Sequence, residues 1–198
     1  VEINCMPFVE ASPPLGMENM VALQVASGVV RNGEQATGLG QVSHVKTLRR
    51  KVAVSELLQM LDSTTHGGFP IVAPEKGYKV VGFMLRSRIV TIINHCIDNG
   101  STQGVLVPEA AFSTTLNSRR AKLMSHKQAE ELGNQLVDLA PYMDKSPLTV
   151  PTGFPMSKVY TLFRSIGLRH LTVVDEDGRA AGMLTRKELM CAFDRDLC

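Results

Sequence analysis

The chain has 198 residues, 44% of them hydrophobic and 20% charged, with a net charge of +2. This is a globular composition, long enough for one compact domain or two small ones with a buried core. Lys and Arg nearly balance Asp and Glu and no basic block stands out, which argues against a nucleic-acid partner.

The cysteines, Cys5, Cys96, Cys191 and Cys198, form no C-x-x-C pair, and the histidines form no H-E-x-x-H, so reduced thiols and no structural metal are expected. No window approaches about 18 consecutive apolar residues, and no basic region precedes an apolar one at the start. The sequence opens without an initiator Met at V-E-I-N-C-M-P-F, as a piece of a longer protein would.

In chain order, residues 27–43 read as a flexible insertion and the stretch around Lys46 to Leu48 as a short strand. From Val54, apolar residues at Leu57, Leu58 and Leu61 keep helical spacing, with Ser55 near the start as a candidate cap. Next come a glycine-rich stop at His66-Gly67-Gly68, a strand over F-P-I-V, a turn at A-P-E-K-G-Y-K and a second strand, V-V-G-F-M-L. A helix then carries Ile89, Ile92 and Ile93. Residues 98–135 are polar and read as a partly disordered linker, in which Ser125 with Gln128 forms a capping box opening a helix through Leu139.

The pattern then repeats. Residues from Pro155 align with those from Ala53 at an offset of 102, so Met156, Val159, Tyr160 and Phe163 reproduce the buried stripe and Ser157 the candidate cap. Leu148 to Val150, L-T-V-V, the turn D-E-D-G-R-A and A-A-G-M-L-T supply the equivalent strands, and Leu189, Ala192 and Phe193 the last helix. Each unit is therefore β-α-β-β-α, an α/β arrangement, and a unit of about 50 residues needs its partner to bury enough surface. The boundaries read as 1–19 entry segment, 20–97 first unit, 98–135 linker and 136–198 second unit.

The hydrophobic-Gly-hydrophobic strand followed by L-T-R-K-E-L, Leu184 to Leu189, resembles a tandem pair of CBS domains, the Bateman module. M-P-F-V-E-A-S-P-P-L-G-M-E-N-M near the start, H-G-G-F-P-I-V, L-V-D-L-A-P-Y-M-D-K-S-P-L-T-V and above all F-R-S-I-G-L-R-H-L resemble the cytoplasmic C-terminus of eukaryotic CLC chloride channels and chloride/proton exchangers. The resemblance implies a non-enzymatic regulatory module on the cytosolic face of a membrane, of an endosome, lysosome or vacuole. Its partners would be the protein's own transmembrane domain, a second copy of the chain in a homodimer, and an adenine nucleotide between the units. Residues 1–19 would lead from the membrane domain.

Two readings of Thr185 to Glu188 stand side by side. In one, Thr185 and Glu188 form a capping box that needs no ligand. In the other, the same helix start offers N–H groups to a phosphate, Arg186 and Lys187 add charge, and Glu188 accepts the ribose hydroxyls. The first copy has Leu85, Arg86, Ser87 and Arg88 there and cannot grip a ribose this way, so at most one nucleotide is expected. The CLC resemblance places His66 against the adenine, Gly67 as a backbone contact, and Val45 and Lys46 as backbone partners of the base edge. CLC proteins commonly have Asp where Glu188 stands. The plainer reading is that Gly67 or Gly68 ends the helix in the left-handed region with His66 exposed. Gly167 is expected to end the second helix, and Arg169 and His170 to serve structure or an interface. Two alternatives remain: a ligand-free dimerisation and trafficking platform, and the regulatory segment of an enzyme.

Overall fold

The computed structural model describes residue 22 and residues 30–31, 34–35, 45–103, 106–116 and 126–191. Segment 1–19, most of the 27–43 insertion, His44, Ser125, Ala192 and Phe193 lie outside the described residues. Two compact units divide the chain, Lys46–Ser146 and Val1–Val45 with Pro147–Cys198. Each has its own apolar core.

In the 46–146 unit, β3 (Leu48–Arg49) runs parallel to β5 (Gly68–Ala73), and β5 pairs antiparallel with β6 (Lys79–Leu85). All six residues of β5 are buried, as its unbroken apolar run requires. Helix α1 (Val54–Ser63) connects the parallel strands and buries Val54, Leu57, Leu58 and Leu61, the stripe read from the sequence. Helix α2 (Arg86–Asn99) follows β6 and buries Ile89, Val90, Ile92, Ile93 and Cys96.

The other unit repeats this plan with β8 (Thr149–Pro151) parallel to β9 (His170–Val174), β9 antiparallel to β10 (Ala180–Thr185), α5 (Met156–Ile166) and α6 (Arg186–Cys191). The copies agree down to an irregularity: the register shifts between Ile71 and Val72 in one and between Ala180 and Gly182 in the other. Residues 30–31 and 34–35 form a two-stranded antiparallel pair, β1 and β2.

The stretch read as a linker contributes α3 (Glu109–Leu116) and α4 (His126–Glu131), with Phe112, Ala129 and Leu132 buried in the core of the 46–146 unit. The helix expected through Leu139 stops at Glu131. Residues Leu136–Asp138 are instead strand β7, antiparallel to β4 (Lys51–Ala53), with Val52 and Val137 paired and both buried. Residues 136–146, assigned to the second unit on sequence, thus belong to the first compact unit. Beyond β7 the chain crosses β6, where Phe83 and Asp144 exchange backbone hydrogen bonds of 2.9 Å. A Cβ on Gly82 would meet Met143 Sδ at 2.5 Å and the Asp144 carbonyl at 2.9 Å, which explains the glycine in that strand.

The serine caps are not used. The N-caps of α1 and α5 are Ala53 and Pro155, neither with a side-chain cap bond. The first amides of α1 find backbone carbonyls instead: Val54 N–H donates to Gln135 and Ser55 N–H to Gly133, both at 3.0 Å. Ser55→Ala and Ser157→Ala are therefore expected to change stability by less than about 0.5 kcal/mol in urea unfolding, where a capping serine would cost about 1 kcal/mol.

Candidate functional site

The end of α1 shows why its loop is built as it is. The helix stops at Thr64 with extended backbone (φ −137°), and its last carbonyls are taken by side chains. Thr64 Oγ1 donates to the Met60 carbonyl at 2.8 Å, and the Arg86 guanidinium donates to the carbonyls of Leu61 and of Thr64, the latter at 2.8 Å. No left-handed residue is needed, and neither Gly67 nor Gly68 has a positive φ, which corrects that expectation. Gly68 begins β5, buried, and a Cβ there would run into the Phe83 ring and stand 3.1 Å from the Met84 carbonyl. Its bareness serves a packed strand. Gly67 is exposed, and its carbonyl accepts the Arg86 N–H at 2.9 Å. His66 is exposed, its ring edge-on to Phe69 at 6.3 Å between centroids.

Helix α5 ends in the other way, with Gly167 left-handed (φ 69°) as expected. Here Arg186, the first residue of α6, donates through Nε to the Leu168 carbonyl and through an Nη to the Gly167 carbonyl, both at 2.8 Å. Arg86 and Arg186 thus do the same work in the two copies, tying the start of the last helix to the end of the first. Both arginines were visible in the aligned copies, but the role was not.

At the β10–α6 junction the capping box is present. Thr185 N–H donates to Glu188 Oε2 at 2.9 Å, and the reverse bond from Glu188 N–H to Thr185 Oγ1 is long, at 3.5 Å. Glu188 is half-buried in the first turn, where a carboxylate complements the helix dipole. Lys187 is the second residue of α6. Arg186 is committed to carbonyls, so it serves this junction first as a clamp. The equivalent cap in the first copy, Leu85, makes no side-chain bond, in line with the sequence comparison.

Val45 and Lys46 precede β3 in irregular backbone, Val45 half-buried and Lys46 exposed. The structure brings Thr185, Arg186 and Glu188 together at one junction and His66, Gly67 and Gly68 at another. Val45 and the first group belong to one compact unit, Lys46 and the second group to the other.

Residues 137–195 match the family profile of the CBS domain. The chain is 28% identical over 196 residues to chloride channel protein CLC-d of Arabidopsis thaliana, covering 93% of this chain and 23% of that protein. It is also 28% identical over 197 residues to H(+)/Cl(-) exchange transporter 7 of Bos taurus, covering 96% of this chain and 22% of that protein. This chain is a CBS-domain segment of the CLC family. It spans less than a quarter of the length of these two relatives. The fold of the CLC segment is similar to that of a solved protein from Methanocaldococcus jannaschii, with a TM-score of 0.51 at 12% identity over 86% of this chain and 49% of that one. Among the described residues of the CLC segment, no helix is long and apolar enough to cross a membrane.

Two measurements probe this CBS segment without any ligand. Arg186→Ala removes two charge-assisted bonds to carbonyls that end α5 and is expected to cost about 1–3 kcal/mol in urea unfolding; an arginine kept only for a phosphate would leave the ligand-free stability unchanged. Burial, and then the neighbouring Arg169 cation, hold His170 below its ordinary value. The unfolded chain therefore takes up this proton first, so the contribution is full above about pH 6.5 and declines as the pH falls below it. His170→Gln is expected to show a smaller drop in Tm between pH 7.5 and pH 5 than the parent chain.

Proposed function

We propose that this segment is the nucleotide-sensing regulatory module of a CLC-type chloride channel or chloride/proton exchanger, binding one adenine nucleotide per chain and dimeric with its transporter. It works on the cytosolic face of an intracellular membrane and carries out no catalysis of its own. The observation that carries the reading is the β10–α6 junction: the ribose-gripping position is a carboxylate in one copy, Glu188, and a cation in the other, Arg88. Glu188 Oε2 is engaged by Thr185, and the carboxylate retains acceptor capacity on Oε1 for a ribose hydroxyl.

In this reading Thr185 and the first amides of α6 meet a phosphate, with Lys187 adding charge. Arg186 holds the junction in place. His66 stacks against the adenine, while Gly67, Gly68, Val45 and Lys46 supply backbone contacts to the base. The exposed imidazole is available for stacking, whereas the Gly67 carbonyl already has the Arg86 N–H as a partner, so its contact would come from N–H. The ligand acts by binding one arrangement of the module better than another.

One observation favours a second reading, a ligand-free dimerisation and trafficking platform: Glu188 closes a capping box and Arg186 is spent on backbone carbonyls. Calorimetric titration of the chain with ATP, ADP and AMP in turn decides between them. One site per chain is expected, with Glu188→Ala binding at least tenfold more weakly, or about 1.4 kcal/mol. Capping loss alone costs about 0.5–2 kcal/mol of stability and leaves affinity unchanged. No heat from any of the three nucleotides at millimolar concentration would overturn the sensor reading.

A further inference from the structure

The start of α2 occupies the same place in its unit as the start of α6, yet its third residue points into the chain's own connector. Arg88 Nη1 donates to the Tyr142 carbonyl at 2.9 Å. Its other Nη lies 3.5 Å from Glu109 Oε1, and the guanidinium carbon sits 5.1 Å from the centre of the Phe112 ring. Phe112 is fully buried and packs against the Tyr142 ring at 5.8 Å between centroids, while the Tyr142 hydroxyl accepts the Val107 N–H at 3.1 Å. A single cation therefore gathers the entry to α3, its first turn and the segment that crosses β6.

Beside Tyr142 and Val107 lies a half-open pocket of about 280 Å³. Ile92, Cys96 and Val137 line it from α2 and β7, and Leu106, Val107 and Tyr142 from the connector. Leu106 is 76% exposed in its outer wall. Burial raises the Cys96 thiol above its ordinary value, in keeping with a side chain shielded from water.

We propose that residues 106–116 form a strap, latched to α2 by Arg88, whose release exposes Cys96, now buried in the wall of this pocket; in this copy the helix start carries an intrachain latch in place of a capping box. Three contacts differ in weight. The ion pair with Glu109 is weak because that carboxylate is 83% exposed and screened. The cation over the Phe112 face is the stronger direct hold on the strap, and the single Nη1 bond to the Tyr142 carbonyl anchors the guanidinium there. Phe112 and Val107 share the core of β5, β6 and α1, so release of the strap is a local opening only while the sheet keeps its own ladder and the Arg86 tie.

Peptide-resolved hydrogen exchange and mass-spectrometric mapping of Cys96 alkylation by iodoacetamide test the proposal on the intact chain. In Arg88→Ala, exchange in 109–116 should rise at least tenfold and Cys96 alkylation at least fivefold, with β5, β6 and α5 keeping their protection. Arg88→Lys retains the cation but not the fork and should fall between the two. Glu109→Gln should change either rate less than twofold. The proposal is overturned if 109–116 exchanges as in the parent chain in Arg88→Ala, if Arg88→Lys matches the parent, or if protection is lost across β5 and β6 together with the strap. That last result would make Arg88 a residue of general stability.

Discussion

Each β-α-β-β-α unit depends on tying the end of its first helix to the start of its last, and in both units an arginine does it. Helix ends leave carbonyls without partners, and a small unit has little spare surface under which to hide them. Arg86 reaches back to Leu61 and Thr64, Arg186 to Gly167 and Leu168. A guanidinium suits the task because its planar fork meets two carbonyls at once and stays charged. The tie fixes the loop between the first helix and the central strand, and with it the residues on which any ligand reading rests.

On this shared frame the two copies have diverged where their last helices begin. Thr185 and Glu188 close a capping box; Leu85 and Arg88 do not, and Arg88 turns to the connector. The antiparallel pair that leads into the last helix keeps the same register shift in both copies, so at this junction the difference is one of side-chain chemistry. A carboxylate in the first turn complements the helix dipole and accepts hydroxyls. A guanidinium there opposes the dipole and must find its compensation elsewhere, which the Tyr142 carbonyl, the Phe112 face and Glu109 provide.

The buried stripes of α1 and α5 were legible to the residue, because a period of 3.6 in apolar positions has no other reading. The strand pairs followed to within a residue or two from the repeat itself. Strand β7 was not legible: three residues form a strand only because β4 lies beside them, a partner more than eighty positions away in sequence. The serine caps failed for a related reason, since the amides of α1 are satisfied by carbonyls of residues 133 and 135, which spacing cannot reveal. Gly68 was misread as a helix stop because the need for a bare Cα came from Phe83, across the sheet. In the candidate site the Thr185–Glu188 pair was readable as local chemistry, whereas the clamping role of Arg186 required the carbonyl positions that only the fold supplies.

These ties also constrain how a ligand at Thr185 to Glu188 would act. A group that binds equally well to two arrangements shifts nothing, so the binding residues must report a difference between them. The capping box is fastened through Arg186 to the turn that ends α5, and that turn leads directly into β9. A pull on the box is therefore shared by α5, α6 and the central strand, and the unit responds as one body because its packed core deforms little. The same holds for the 46–146 unit, where Arg86 joins α1, Gly67 and α2.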